Sequence, residues 1–129
     1  MIDWDYKHRK DIKMDRVFAK KWVKALRSGK YKQAHDVLFN GEGYCCLGVA
    51  CIVAGKKFVH KVEANDYVVE RTKEYAHLPS SVKKLMKIKY VTGEFTDKDG
   101  GLGSLTDMND SGKTFEEIAD FIENNYERL

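Results

Sequence analysis

The sequence predicts an α+β fold: a helix-rich single domain over residues 1–129, with a central buried helix flanked by terminal amphipathic helices and a small antiparallel sheet or hairpin. Three patterns predict it. Two segments near the ends have helical apolar periodicity and capping residues, a ten-residue run between them is uncharged, and one short stretch alternates β-branched residues. With 129 residues, 43% of them apolar, the chain can bury about two-thirds of its unfolded surface.

The first amphipathic helix is predicted over residues 15–29. At about 100° per residue, apolar side chains occupy one face and basic side chains the opposite one. The apolar set is Phe18, Ala19, Trp22, Val23, Ala25 and Leu26, and the basic set is Arg16, Lys20, Lys24 and Arg27. Asp15 suits the N-cap, and Gly29 suits the position after the C-cap. A basic N-terminal arm is predicted before this helix, over residues 1–12.

The central helix is predicted over residues 45–54, which are apolar all round, as expected of a helix surrounded by protein. Gly55 suits its end. A run of this length is also compatible with a buried strand. Helix is favoured because Leu47 and Ala50 fit it better, while Gly48 allows a neighbouring segment to approach closely.

Shorter elements are predicted between the central helix and the C-terminus. Residues 58–70 alternate around a turn at 64–66, which predicts a hairpin. Residues 31–39 are expected to add an extended segment, and residues 78–86 a short helix with Pro79 in its first turn. Three glycines in residues 97–104 predict a loop.

The last helix begins with a capping box, in which Thr114 and Glu117 satisfy each other's free amides. Its apolar stripe is Phe115, Ile118, Ala119, Ile122, Tyr126 and Leu129, and its acidic stripe is Glu116, Asp120, Glu123 and Glu127. Residues 1–33 carry eleven Lys or Arg against four Asp, whereas residues 97–129 carry three against nine acids. The two ends can therefore pair with each other, or the basic end can meet an anionic partner.

The three cysteines lie within one nine-residue stretch, GYCCLGVAC. The chain has no apolar run of about 20 residues, as a membrane span requires, and its N-terminus lacks a signal peptide pattern. An intracellular location with free thiols is therefore expected. The cysteine spacings do not form metal-binding pairs, so no metal or cofactor is predicted.

Two chemical hypotheses compete with simple structural roles. Cys45, at a helix N-terminus, could form a thiolate and make the protein a small thiol-dependent enzyme; core packing is the more ordinary role for cysteine. Arg16, Lys20, Lys24 and Arg27 could follow a nucleic-acid backbone. The chain contains no helix-turn-helix or RNP-type signature to support that second hypothesis.

Four blocks of sequence occur in order along most of the chain. They are WVKALRSGKYKQ (22–33), YCCLGVAC (44–51), Leu78-Pro79 with Val82, and LTDMNDSGKTFEEIADFIE (105–123). In these blocks the chain resembles a family of small uncharacterised proteins encoded by bacteriophages and prophages. The resemblance implies a non-enzymatic accessory protein acting in the bacterial host cytoplasm, in host takeover or against host defence.

By analogy with small phage proteins, such a protein is expected to sequester a host protein or a nucleotide-like signal, and to form a homo-oligomer. The resemblance singles out polar residues as its ligand-binding set: Tyr31, Gln33, Tyr44, Asp107 and Asn109. Aromatic and amide groups beside a helix N-terminus could stack against such a ligand and hydrogen-bond to it. Each of these residues has a local alternative, because such side chains also close turns and fix loops to a core.

Overall fold

A computed structural model describes residues 13–97 and 99–129. In these ranges the chain forms five α-helices and two two-stranded antiparallel sheets, which confirms the predicted α+β class. The elements, in chain order, are α1 (Arg16–Arg27), α2 (Cys46–Val53), β1 (Phe58–Lys61), β2 (Asp66–Val69), α3 (Ser80–Met86), β3 (Glu94–Thr96), β4 (Leu102–Ser104), α4 (Leu105–Asp110), α5 (Phe115–Asn125) and a final 3-10 turn (Tyr126–Arg128). The predicted arm over residues 1–12 lies outside the described residues. No helix in the described part of the chain is long and apolar enough to cross a membrane.

The caps of the two terminal helices are those predicted. The Asp15 carboxylate accepts a hydrogen bond from the Phe18 backbone N–H at 2.8 Å, and Gly29 follows the C-cap with φ +73°. At α5, Thr114 and Glu117 form the reciprocal capping box. These local bonds satisfy amides that a helix start otherwise leaves unpaired, which fixes both helix starts.

Helix α2 lies at the centre of the core, with Leu47, Val49 and Ala50 fully buried. Helix α1 packs on it, and the indole N–H of Trp22 donates to the Cys46 carbonyl at 2.9 Å. A Cβ placed on Gly48 would lie 1.9 Å from the Leu38 carbonyl oxygen. The close approach predicted at this glycine is therefore real, and the approaching segment is the backbone that precedes α2.

The first hairpin agrees with the sequence, whereas the predicted extended segment is shorter than expected. Strands β1 and β2 pair in the register Phe58↔Val69 to Lys61↔Asp66. Residues 31–39 form no strand; they contact Tyr44 through two separate backbone bridges, at Gln33 and at Phe39. The chain there bends around the N-terminus of α2 instead of running along a sheet.

The predicted loop over 97–104 is wrong in its second half, because Leu102–Ser104 is strand β4, paired with β3. Glycine does not weaken this strand. A Cβ on Gly103 would lie 2.7 Å from the Phe95 ring, so the bare backbone allows that ring to cover the strand. Pro79 is also displaced from its predicted place: it is the N-cap of α3, just before the first turn.

Helix α4 was not predicted. Its start is capped by Ser104, whose side-chain oxygen accepts from the Asp107 backbone N–H at 3.0 Å. At six residues it is too short to show helical periodicity in sequence. Helix α4 therefore depends on its cap and on packing against α2 and α5.

Helices α1 and α5 pack side by side in antiparallel directions. Arg27, at the end of α1, binds Asp120 and Glu123 at 2.5 Å each and lies 3.3 Å from Glu116, near the start of α5. At the opposite ends, Lys13 lies 3.9 Å from Glu127. The basic and acidic ends of the chain were expected to pair with each other or to meet a partner. In the structure they pair with each other at both ends of this helix pair.

Candidate functional site

Asn109, one of the predicted ligand residues, is fully buried and its side chain is saturated by the protein itself. Its oxygen accepts from Gln33 Nε2 at 2.9 Å and from the Cys46 backbone N–H at 3.1 Å. Its amide nitrogen donates to the Ala34 carbonyl at 2.8 Å and to Asp110 Oδ1 at 3.2 Å. A side-chain amide offers two donors and an acceptor with two lone pairs. Asn109 therefore has a structural role in this fold: it joins α4 to the N-terminus of α2.

Gln33 and Asp107 differ in exposure and in what they contact. Gln33 is half-buried, and besides Asn109 its amide donates to the Lys113 carbonyl at 2.8 Å. Both of its N–H donors are thus used within the chain. Asp107 lies on the exposed side of α4. Of these two, only Gln33 belongs to the hydrogen-bond network around Asn109.

Tyr31 and Tyr44 lie together, with ring centroids 5.5 Å apart and perpendicular planes. Tyr44 also stacks on Phe39 at 4.5 Å, and Phe39 contacts Phe58 and Tyr67 of the first hairpin. Burial, followed by the proximity of Tyr31, raises the pKa of Tyr44 above its usual value. The rings use much of their surface on one another, so this aromatic cluster mainly holds the hairpin to the loop before α2.

The cysteines are free thiols, as predicted, and all three are buried. Cys45 caps α2, and its sulfur accepts from the Gly48 backbone N–H at 3.4 Å. Burial nevertheless raises its pKa to about 11, because it outweighs the hydrogen bonds that favour the thiolate. Burial therefore outweighs the lowering of the Cys45 pKa that a helix N-terminus would give. In the described ranges no group of three His, Cys, Asp or Glu side chains is placed to hold a metal ion.

A cleft of about 770 Å³ runs along the surface between α1 and the end of α5. We call it the basic cleft. It is lined by Arg16, Ala19, Lys20, Val23, Lys24, Arg27, Ser28, Glu123 and Tyr126. All four residues that the sequence assigned to nucleic-acid binding therefore line one concave surface. The cleft results from the way the two helices pack. Ion pairs join basic residues to the acidic stripe at both ends of the helix pair, and the space between them stays open.

The α1 wall of the basic cleft is cationic. Arg16, Lys20 and Lys24 are exposed, and in the described part of the chain no carboxylate lies within 4 Å of their charged groups. Arg27 is different. Its hydrogen bonds to Asp120 and then Glu123 raise its pKa further above its ordinary value. Three of the four cations are thus available to an anion, whereas Arg27 ties the two helices together.

The α5 wall of the basic cleft consists of Glu123 and Tyr126. Sequence reasoning did not assign either residue to a site, since Glu123 belonged to the acidic stripe and Tyr126 to the apolar one. The acidic stripe and the apolar stripe meet where Glu123 and Tyr126 lie. These residues face α1 because the two helices pack in antiparallel directions. The floor is apolar, formed by Ala19 and Val23.

A comparison with protein-family models adds one result. The model described as a domain of unknown function, DUF8296, matches residues 14–126. The match includes both walls of the basic cleft and the network around Asn109. Neither a curated protein nor a solved structure matches the chain. Because this match covers most of the chain, the chain belongs to the DUF8296 family.

Proposed function

We propose that this is a non-enzymatic bacteriophage accessory protein that sequesters a nucleotide-like signal of the host, in host takeover or against host defence, and that the basic cleft is its binding site. The phage setting is supported by the resemblance of the four sequence blocks. The site is supported by one observation: Arg16, Lys20 and Lys24 stand along one wall of a cleft without carboxylate partners in the described residues.

The cleft suits a phosphorylated small molecule in size and chemistry. Ligand pockets commonly measure about 300–1,000 Å³, and the 770 Å³ of the basic cleft lies within that range. Its three cations occur every fourth residue of α1, so they lie one above another at intervals of about 6 Å. Arginine and lysine are the side chains that bind phosphate best, with Arg16 able to bind two oxygens at once.

The cleft replaces the site that the sequence placed at Tyr31, Gln33, Tyr44, Asp107 and Asn109. The amide groups of Gln33 and Asn109 are used internally. The proposal therefore keeps the class of ligand and moves its position. It also keeps action in the host cytoplasm and a symmetric oligomer as expectations; native mass spectrometry of protein from infected cells would test the oligomer.

Nucleic-acid binding is the second candidate, and the row of cations along α1 favours it. Its signature is salt dependence, because each neutralised phosphate releases counterions and steepens the fall of affinity with salt. A free nucleotide contacts few phosphates and gives a shallow slope. Titration of a short DNA between 50 and 200 mM salt, in parallel with a nucleotide, therefore separates the two candidates.

Isothermal titration calorimetry with a panel of nucleotides tests the proposed function. We expect the Lys20→Glu, Lys24→Glu double variant to lose at least about tenfold in affinity, since it removes two attractive charges and adds two repulsive ones. Lys21→Glu is the matched control, because Lys21 is on the same helix and exposed but does not line the cleft. If no nucleotide binds, or if Lys21→Glu weakens binding as much as a single reversal at Lys20, the basic cleft is not the site.

A further inference from the structure

The two walls of the basic cleft differ in chemistry, and this difference carries an inference about the ligand. We propose that the cleft selects a free nucleotide whose base carries an exocyclic amino group, with the phosphates on the α1 wall and the base on Glu123 and Tyr126. The inference rests on the proposed function and specifies the ligand that the same cleft accepts.

Glu123 determines the polarity of the base that fits. One of its carboxylate oxygens, Oε2, accepts from Arg27 Nη1 at 2.5 Å, and among the described residues no donor reaches the other oxygen, Oε1. An ionised carboxylate only accepts hydrogen bonds, so the part of a ligand that lies against it must offer a donor. The amino groups of cytosine, adenine and guanine provide one. Uracil has a carbonyl oxygen in place of the amino group, and its one donor on that edge, N3–H, lies between two carbonyl oxygens that repel the carboxylate.

Tyr126 provides the surface on which the base would lie. It begins the 3-10 turn after α5, is half-buried, and lines the cleft beside Glu123. Its lower side packs against the core, which holds the ring in place. Nucleobases stack on aromatic side chains whatever their sequence, so the ring adds affinity, and Glu123 adds selectivity.

The acidic stripe of α5 argues for a compact ligand in place of a polymer. Arg27 contacts Glu116, Asp120 and Glu123 at one end of the helix pair, and Lys13 contacts Glu127 at the other, so carboxylates flank the row of α1 cations at both of its ends. A phosphate chain that continued along α1 beyond these cations would meet carboxylates at both ends of the row. A mononucleotide places its phosphates on one wall and turns its uncharged base to the other.

CTP and UTP form the decisive pair, because they differ only along one edge of the base: cytosine has an amino group at C4 and no hydrogen on N3, whereas uracil has a carbonyl at C4 and a hydrogen on N3. Inorganic triphosphate, which lacks a base, is the third probe. By calorimetry we expect CTP to bind about tenfold more tightly than UTP, the factor typical of one hydrogen bond to a charged group. Triphosphate is expected to bind more weakly than either nucleotide, since it forms no stacking contact.

Two glutamate variants then assign the selectivity. In Glu123→Gln, whose amide can donate as well as accept, the CTP to UTP ratio is expected to fall below about twofold. In Glu127→Gln, the matched control outside the cleft, the ratio is expected to stay near tenfold, because Glu127 faces Lys13. Melting curves of both variants establish that each is folded before its titration is interpreted.

The outcomes separate this inference from the function on which it rests. Equal affinity for CTP, UTP and triphosphate would overturn base selection and leave phosphate binding by the cleft intact. A selectivity that survives Glu123→Gln would overturn the role of Glu123. Tighter binding of a DNA strand than of CTP would overturn the compact ligand. Binding of none of the probes would overturn both the inference and the proposed function.

Discussion

Gln33 donates a hydrogen bond from Nε2 to Oδ1 of Asn109 across 2.9 Å, although 76 residues separate them in the chain. The same oxygen accepts from the first amide of α2, at Cys46. Two residues that looked like ligand contacts in the sequence are thus partners in one internal network. This network fixes the loop before α2, the start of α2 and helix α4 relative to one another.

Asn109→Ala should therefore destabilise the protein strongly. The truncation leaves the Cys46 amide and the Ala34 carbonyl buried without their partner, and each buried unpaired group costs about 1–3 kcal/mol. We expect a loss of about 3–5 kcal/mol in the free energy of unfolding, measured by urea denaturation.

Asp107→Ala is the control for this prediction, because Asp107 lies on the same short helix and is exposed. Exposed substitutions of this kind usually change stability by less than about 0.5 kcal/mol. A loss below about 1 kcal/mol for Asn109→Ala, comparable to the control, would contradict the structural role of the network.

Gly48→Ala should destabilise the central helix, although alanine is the better helix former. The added Cβ would lie 1.9 Å from the Leu38 carbonyl oxygen, a backbone atom that also accepts from the Cys45 amide. We expect a cost of at least about 3 kcal/mol, at or above the upper end of ordinary overpacking. At an unconstrained helix position the same change stabilises by about 1 kcal/mol, so a rise in melting temperature would contradict the close approach.

Alkaline pH should unfold the protein through its thiols. Burial raises the pKa of Cys45 to about 11 and that of Cys51 to about 12 from the ordinary 9.0. Because the folded pKa values are the higher ones, the unfolded chain ionises first. The stabilising contribution of the protonated thiols is therefore fully present below pH 9. The free energy of unfolding falls as pH rises towards 12, by up to about 1.4 kcal/mol per pH unit for each thiol.

Melting temperatures of wild-type protein and of Cys51→Ala, recorded from pH 7 to pH 11, test this. Alanine cannot ionise, so the variant should lose stability less steeply above pH 9, even if it begins from a lower melting temperature because a buried side chain has been shortened. Identical slopes in the two proteins would contradict the assignment of the raised pKa to Cys51.

Thr114→Ala should cost about 1 kcal/mol by removing the threonine hydroxyl, which accepts from the Glu117 backbone N–H in the capping box of α5. Thr114 donates to Glu117 Oε1 from its backbone N–H and from its hydroxyl, and these two hydrogen bonds lower the pKa of Glu117; alanine keeps the first and loses the second. The contribution of Glu117 is present above its ordinary pKa of 4.5 and is lost as pH falls through its folded value. Urea denaturation at pH 7 and at pH 3 should therefore show a smaller cost at pH 3. Thr114→Ser keeps the hydroxyl and serves as the control; an equal loss in Thr114→Ser would contradict the cap.

Local patterns predicted the parts of the fold that local forces determine. The caps at Asp15 and at Thr114 with Glu117 depend on residues three apart, and the first hairpin depends on alternation around one turn. Helix α4 depends on packing against α2 and α5, and strand β4 depends on pairing with β3. Their sequence, rich in turn formers and glycine, gives the opposite local preference, so tertiary packing decides their structure.

The candidate site shows the same division. The spacing of the α1 cations predicted that they share one helix face, and in the structure they line one cleft. The wall opposite them, Glu123 and Tyr126, lies about 100 residues further along the chain, and its position follows from how α1 and α5 cross. The internal network could not be predicted for a related reason: no sequence pattern shows that the side-chain amides of Gln33 and Asn109 bond to each other.

Amide chemical-shift mapping by NMR, during a titration of the isotope-labelled protein with CTP, tests the central claim most directly. The account predicts the largest shifts at Arg16, Lys20, Lys24 and Tyr126, which line the basic cleft, with little change at Tyr31 and Tyr44. Shifts concentrated at Tyr31 and Tyr44, or a titration that leaves the α1 amides unchanged, would contradict it.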